Sequence, residues 1–127
     1  MPSANKASTP VTLDVPPVEF RYAEIGDGYT VVFAHFKIDS DPAPLFRGLP
    51  DDRCQCPHWG YVIAGKMTLR FADHDETYEA GDAFYAPPGH VPLVTAGTMA
   101  VEFSPTTELA KSDDVIGRNL AAGVQPN

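Results

Sequence analysis

The stretch GDAFYAPPGH, residues 81–90, encodes a strand that ends in a forced turn. Ala83–Pro87 has the aromatic, alternating character of an extended segment, and Pro87, Pro88 and Gly89 then bend the chain and deliver His90 to the start of the next strand. Short strands recur on both sides of it. They are expected near GYVIAG, KMTLRFA, ETYEA, VPLVTA and MAVEFSP, separated by Gly65, by DHD at 73–75, by GD at 81–82 and by AGT at 96–98. Short strands at regular spacing with turn signals between them indicate an all-β sandwich or barrel.

Further towards the N-terminus, VEFRYAEI and YTVVFAHFKI flank GDG at 26–28, so residues 18–38 are expected to form a β-hairpin. In its second strand Val31, Phe33 and His35 share one face. The segment DSDPAPLFRGLPDD, broken by three prolines and Gly48, is a loop of the kind that borders working sites. Residues 1–10 are small and polar and suggest a disordered tail, residues 11–105 the barrel, and residues 106–127 a helical C-terminal segment and tail. In that last segment Ser112 or Asp113 is a candidate N-cap, Val115, Ile116 and Leu120 form one stripe, and Gly123 is a stop. The helix is expected to cover an open edge or end of the barrel.

At 127 residues, with 43% apolar side chains, the chain supports one hydrophobic core and thus one domain. Its 17 acidic and 9 basic residues give a formal charge of -8, which repels nucleic-acid phosphates and anionic lipid headgroups. No run approaches the roughly 20 apolar residues that cross a bilayer, and the N-terminus lacks an apolar stretch of signal-peptide type. No nucleic-acid partner, no membrane and a cytoplasmic location are therefore expected. No phosphate-binding loop or hydrolase elbow is present.

The chemistry concentrates in CQCPHWGYVIAG, residues 54–65, which holds both cysteines, one of four histidines and the only tryptophan. In an extended chain the two cysteine Cα atoms lie about 6.6 Å apart, the upper edge of bridgeable geometry, which favours reduced thiols. Strict alternation would put Cys54, Cys56 and His58 on one face, three good ligands for a borderline-soft metal. Packing of the cysteines as small hydrophobes is the plain alternative. Pro57 supports an extended Cys56 but marks an edge or bulge.

Together the two stretches resemble the cupin superfamily. Its first motif reads Gly, five residues, HxH, three or four residues, Glu, six residues, Gly. Its second reads Gly, five residues, PxG, two residues, His. Here five residues separate Gly48 from Cys54, six separate His58 from Gly65, and GDAFYAPPG matches the start of the second motif without a gap. The resemblance covers about 50 residues and implies a double-stranded β-helix, or jelly-roll barrel, whose interior commonly holds a metal on three histidines and a glutamate. It also implies a homodimer.

Every usual ligand position differs. With Cys54 and Cys56 in the two histidine slots, the spacer shrinks to one residue and His58 stands for Glu. In a second register Asp52 and Cys54 fill those slots, and the residues leave the choice open. The final histidine slot is Pro92, which has no donor, while His90 shares its parity and can face the same hollow. Cys54, Cys56, His58 and His90 are thus the candidate ligands of a divalent transition metal, zinc or iron. All four binding would make a closed structural site, and one fewer would leave a position for water or substrate. His35, Trp59, Tyr61, Tyr85 and Phe103 are candidate pocket residues, with ordinary core packing as the alternative. His74 is expected in solvent, and Lys66, Arg70, Glu76 and Glu79 on outward faces or turns. Arg47, Asp51, Asp52 and Arg53 in the loop before CxCxH can bind a carboxylate at the mouth of a barrel or order the loop through ion pairs.

Three functions fit these residues. One is a cupin binding a metal and a small organic molecule, with oxygenase, isomerase or lyase-type chemistry. The others are a metal-free binding or sensing module and a cupin with a purely structural zinc.

Overall fold

The computed structural model describes residues 3–127, so residues 1 and 2 of the expected tail lie outside it. Among the described residues are nine strands: β1 (Val11–Val15), β2 (Val18–Gly26), β3 (Tyr29–Phe36), β4 (His58–Ala64), β5 (Lys66–Arg70), β6 (Asp75–Glu79), β7 (Ala83–Ala86), β8 (Val91–Leu93) and β9 (Met99–Pro105). They make a six-stranded sheet in the order β1-β2-β3-β9-β4-β7 and a three-stranded sheet in the order β6-β5-β8. Every pairing is antiparallel. The expected all-β jelly roll is present as a sandwich whose sheets do not close. Isolated bridges, Cys54 with His90 and Ser40 with Val94, lie outside the named strands.

The 18–38 hairpin is formed by β2 and β3, in register from Val18 opposite Phe36 to Glu24 opposite Thr30, with a register shift before Gly26 opposite Tyr29. Its two-residue turn has Asp27 and Gly28 at φ 53° and 77°, the left-handed pair that matches the twist of the strands. Alternation then sorts the side chains. Val32, Ala34 and Phe36 of β3, Val62 of β4, Met67 and Leu69 of β5, Phe84 and Ala86 of β7 and Ala100 of β9 form the core. Gly60 lets this packing close up: a Cβ there would lie 2.5 Å from the Phe84 ring and 2.7 Å from the Val101 carbonyl oxygen.

The C-terminal helix, α1, spans Thr106–Ala121 and starts six residues before the earlier of the two candidate caps. Its start is fixed by tertiary contacts rather than by a side-chain cap. The Thr106 N–H donates to the Gly28 carbonyl at 2.7 Å, and its hydroxyl lies 2.8 Å from that of Thr30. Ser112 is instead buried in the helix interior. The expected stripe of Val115, Ile116 and Leu120 packs on the core. Gly123, at φ 85°, ends the helix, with its N–H on the Leu120 carbonyl and that of Val124 on the Asn119 carbonyl, each at 3.0 Å. This paired arrangement satisfies carbonyls the helix end leaves free.

Other segments depart from the composition-based expectation. Residues 5–9 form a turn, with Thr9 buried, its hydroxyl donating to the Asn5 carbonyl at 2.7 Å, and Arg21 donating to the Thr9 carbonyl at 3.0 Å. Arg70 does not simply face solvent: it forms a two-pronged pair with Asp41, 2.6 and 3.1 Å, that ties the loop after β3 to β5. In that loop a 3-10 helix over Ala43–Phe46 buries Leu45 and Phe46. Asn119 of α1 holds it from the other side, donating to the Leu45 and Arg47 carbonyls at 2.7 and 2.9 Å. No helix among the described residues is long and apolar enough to cross a membrane.

Candidate metal centre and its cavity

Two irregular segments build the site. Gly89, at φ 99°, completes the PPG turn, and its N–H donates to the Cys54 carbonyl at 2.8 Å. The Cys54 N–H in turn donates to the His90 carbonyl, also at 2.8 Å. These bonds set Cys54 beside His90. His58, the first residue of β4, faces inward opposite Ala86.

The side chains converge accordingly. One donor atom each from Cys54, His58 and His90 lies within 4.8 Å of the others, and all three residues are buried. Both imidazoles are oriented by their other nitrogen. His90 Nδ1 donates to the Pro87 carbonyl at 2.7 Å, and His58 Nδ1 lies 2.6 Å from the Ser104 hydroxyl. Holding Nδ1 leaves Nε2 for a ligand, the arrangement in which metal-binding histidines are usually fixed. His58 Nε2 is 3.9 Å from Cys54 Sγ, which also lies 3.4 Å from the Ser112 hydroxyl of α1.

Burial sets the protonation states. Loss of water pushes His58 down to about 4 and His90 down to about 4, the latter aided by its neighbour His58. The same loss pushes the Cys54 thiol up. Near neutral pH the trio is therefore two uncharged imidazoles and a thiol. A metal ion would find the imidazoles ready and would displace the thiol proton.

Beside the trio is a cavity of about 110 Å³ that contains no Lys or Arg among its lining residues. Glu102 of β9 reaches into it, and burial raises this carboxyl to about 7. Asp113 of α1, raised by burial to about 6, faces the Tyr22 phenol on the same wall. A buried space with two imidazoles, a thiol and two carboxyls, and no cationic side chain, fits a cation electrostatically.

Cys56 stands outside this cluster. Residues 55–57 belong to no strand, so the alternation rule does not reach them. Its Sγ lies 4.0 Å from His58 Nδ1, not on the Nε2 side, and 3.4 Å from the Pro57 carbonyl, and its thiol is pushed up to about 12 by burial and by Cys54. Asp52, the alternative ligand, is exposed and accepts from the Gly48 N–H at 3.1 Å. Pro92 lines the cavity without a donor.

The five candidate pocket residues lie elsewhere. Because His58 and Val62 face inward, Trp59 and Tyr61 face outward, and Tyr85 and Phe103 pair with Trp59 on that same outer face. His35, opposite Glu19 and Met99, shares the outward parity. His74 is in solvent, as expected, between Asp73 and Glu76. Glu102, Asp113, Ser104 and Ser112 are the site residues that sequence reasoning passed over. For Glu102 a signal existed: it is the lone charge of its strand, at the inward parity of Ala100 and Ser104.

No protein-family model and no curated protein matches the sequence. Solved structures do. An RmlC-like cupin from Shewanella frigidimarina NCIMB 400 superposes with a TM-score of 0.56 at 16% identity, over 80% of this chain and 88% of that one. The polyketide cyclase RemF from Streptomyces resistomycificus does so with a TM-score of 0.59 at 16% identity, over 84% and 80%. KdgF from Halomonas sp. gives 0.52 at 17% identity, over 80% and 90%. At such identities the likeness is one of fold.

Glu102 makes stability depend on pH in a defined direction. Its folded pKa of about 7 is raised from 4.5, so the unfolded chain gives up this proton first as pH rises. The cost of burying the charge is absent below 4.5 and complete above 7, roughly 3 kcal/mol. In urea unfolding of metal-free protein, Glu102→Gln is expected to exceed wild type by about that amount at pH 8 and by little at pH 4.5. An equal difference at both pH values would contradict the placement of this carboxyl.

Proposed function

We propose that this chain, which has the cupin fold, binds a divalent transition metal, zinc or iron, on Cys54, His58 and His90 and takes a small organic molecule into the adjoining cavity. The observation that carries this is the convergence of three buried donors within 4.8 Å, with each histidine held through Nδ1. Thiolate with imidazole suits zinc or iron better than magnesium or calcium. Three protein donors are one fewer than a closed structural zinc site uses, which supports a site open to water or ligand over a structural one.

A bound ion would supply Lewis acidity at this point. The chain's own groups supply the rest. Ser104 and the Pro87 carbonyl hold the imidazoles in place. Apolar walls from Val32, Met67 and Leu69 exclude water. Glu102, held near pH 7, can take or give a proton beside the ligand.

Elemental analysis of untagged protein purified without chelator tests the assignment. About one zinc or iron per chain is expected in wild type and in Cys56→Ser. In Cys54→Ser and His58→Ala, checked for folding by circular dichroism, the content is expected to fall at least tenfold. Full metal in those two variants would remove the site, and none in wild type would favour the metal-free binding module.

A second copy of the chain is the partner we propose for the outer face of the six-stranded sheet. There Tyr29, Trp59, Tyr61, Tyr85 and Phe103 are each 39 to 48% exposed, with Ile63 beside them at 53%. Given the size of aromatic side chains, the five rings leave about 400 Å² open, the range of patches that mark interaction sites. That is about half of what one partner contributes to a stable interface, and the flanking residues can supply the remainder. No outward position of β4 or β7, nor Val101 or Phe103 of β9, is charged. Two chains of charge -8 meet there with least repulsion. Light scattering is expected to give twice 13.7 kDa for wild type and 13.7 kDa for Trp59→Glu. A monomeric wild type would overturn the proposal.

A further inference from the structure

Between the start of the β2–β3 hairpin, the 3-10 helix at Ala43–Phe46 and the C-terminal half of α1 runs a second hollow, about 380 Å³ in volume. That volume falls within the range of small-molecule sites. It has no charged lining residue. Its only polar side chains are Ser40 and Gln125, against apolar groups such as Leu13, Val18, Leu45 and Leu120. Ser40 Oγ is buried and has no hydrogen-bond partner in the structure. A buried hydroxyl without a partner costs stability unless something arrives to bond it.

This groove adjoins the metal cavity across a shared set of side chains. Phe20, Phe36, Phe46, Pro92 and Ile116 line both. The inner cavity alone, at about 110 Å³, takes only a handful of heavy atoms, so a larger molecule that reaches Cys54, His58, His90 and Glu102 must seat its body in the groove and pass its end between the side chains the two share. Among the described residues no Lys or Arg lines either part, so none of them recognises a carboxylate or phosphate there by charge.

From this we infer the substrate class: a neutral molecule with an apolar body, alkyl or aromatic, seated in the groove and a hydroxyl or carbonyl end reaching the metal cavity between Phe20, Phe46 and Ile116. The inference rests on the function proposed above for the position of its polar end. The apolar half is independent of any metal and is tested without one.

The probe is a series of straight-chain primary alcohols from butanol to decanol, titrated calorimetrically into metal-free protein and into protein loaded with zinc. In both, affinity is expected to rise about fourfold per added methylene until the groove is filled. Leu120→Arg places a charge in the groove on a half-buried helical position, and the chain-length dependence is expected to vanish. Cys54→Ser is expected to keep it. Decanol that fails to bind folded wild type would overturn the inference, as would a chain-length dependence unchanged in Leu120→Arg, which would place the alcohols elsewhere. Because the metal-free titration reads the groove alone, a failed metal assignment and a failed groove give different results.

Discussion

The three backbone hydrogen bonds between Cys54 and the Gly89–His90 turn are the constraint on which the site depends. Each half of the site sits in irregular chain, with no sheet ladder of its own to fix it. Joined, the halves hold each other: the Cys54 N–H is satisfied by His90, and the Cys54 carbonyl by Gly89. A one-residue slip would carry Cys54 Sγ away from His58 and turn His90 from the Pro87 carbonyl that orients it. Gly89 is needed because the turn runs through positive φ, where a side chain would be strained.

That geometry gathers groups that do little for stability in the absence of a ligand. Two histidines kept neutral by burial, a thiol kept protonated and a carboxyl raised to about 7 share a wall with hydrocarbon. A core chosen for stability alone would fill the space with aliphatic side chains. Clusters of this kind, where burial shifts several ionisable groups at once, are characteristic of working sites. The helix α1 belongs to the same design, because Ser112 and Asp113 project from it into the cavity that it roofs.

How much of this was legible in the sequence follows from which rule governed each residue. Where a regular strand or a stereochemically forced turn sets the direction, reading succeeded: the Asp27–Gly28 hairpin, the PPG turn before His90 and the inward His58 follow from glycine, proline and alternation. Where the chain leaves the ladder, parity failed. Cys56 lies in three residues outside any strand, so its agreement in parity with Cys54 meant nothing. The aromatics Trp59, Tyr61, Tyr85 and Phe103 stand in the sequence as pocket or core candidates, although the parity that places His58 inside places them outside. Glu102 stood in plain view at an inward position. The helix start was hidden because hydrogen bonds between Thr106 and the distant residues Gly28 and Thr30 determine it.

One sulfur and two imidazoles around a metal leave a distinct signature in X-ray absorption at the edge of the bound ion. If Cys54, His58 and His90 hold the metal, the spectrum contains one sulfur at about 2.3 Å and two imidazole nitrogens at about 2.0–2.1 Å, with lighter oxygen or nitrogen scatterers completing the shell. Two sulfurs would bring Cys56 back into the site, and a shell of oxygens without sulfur would place the metal somewhere else on the molecule.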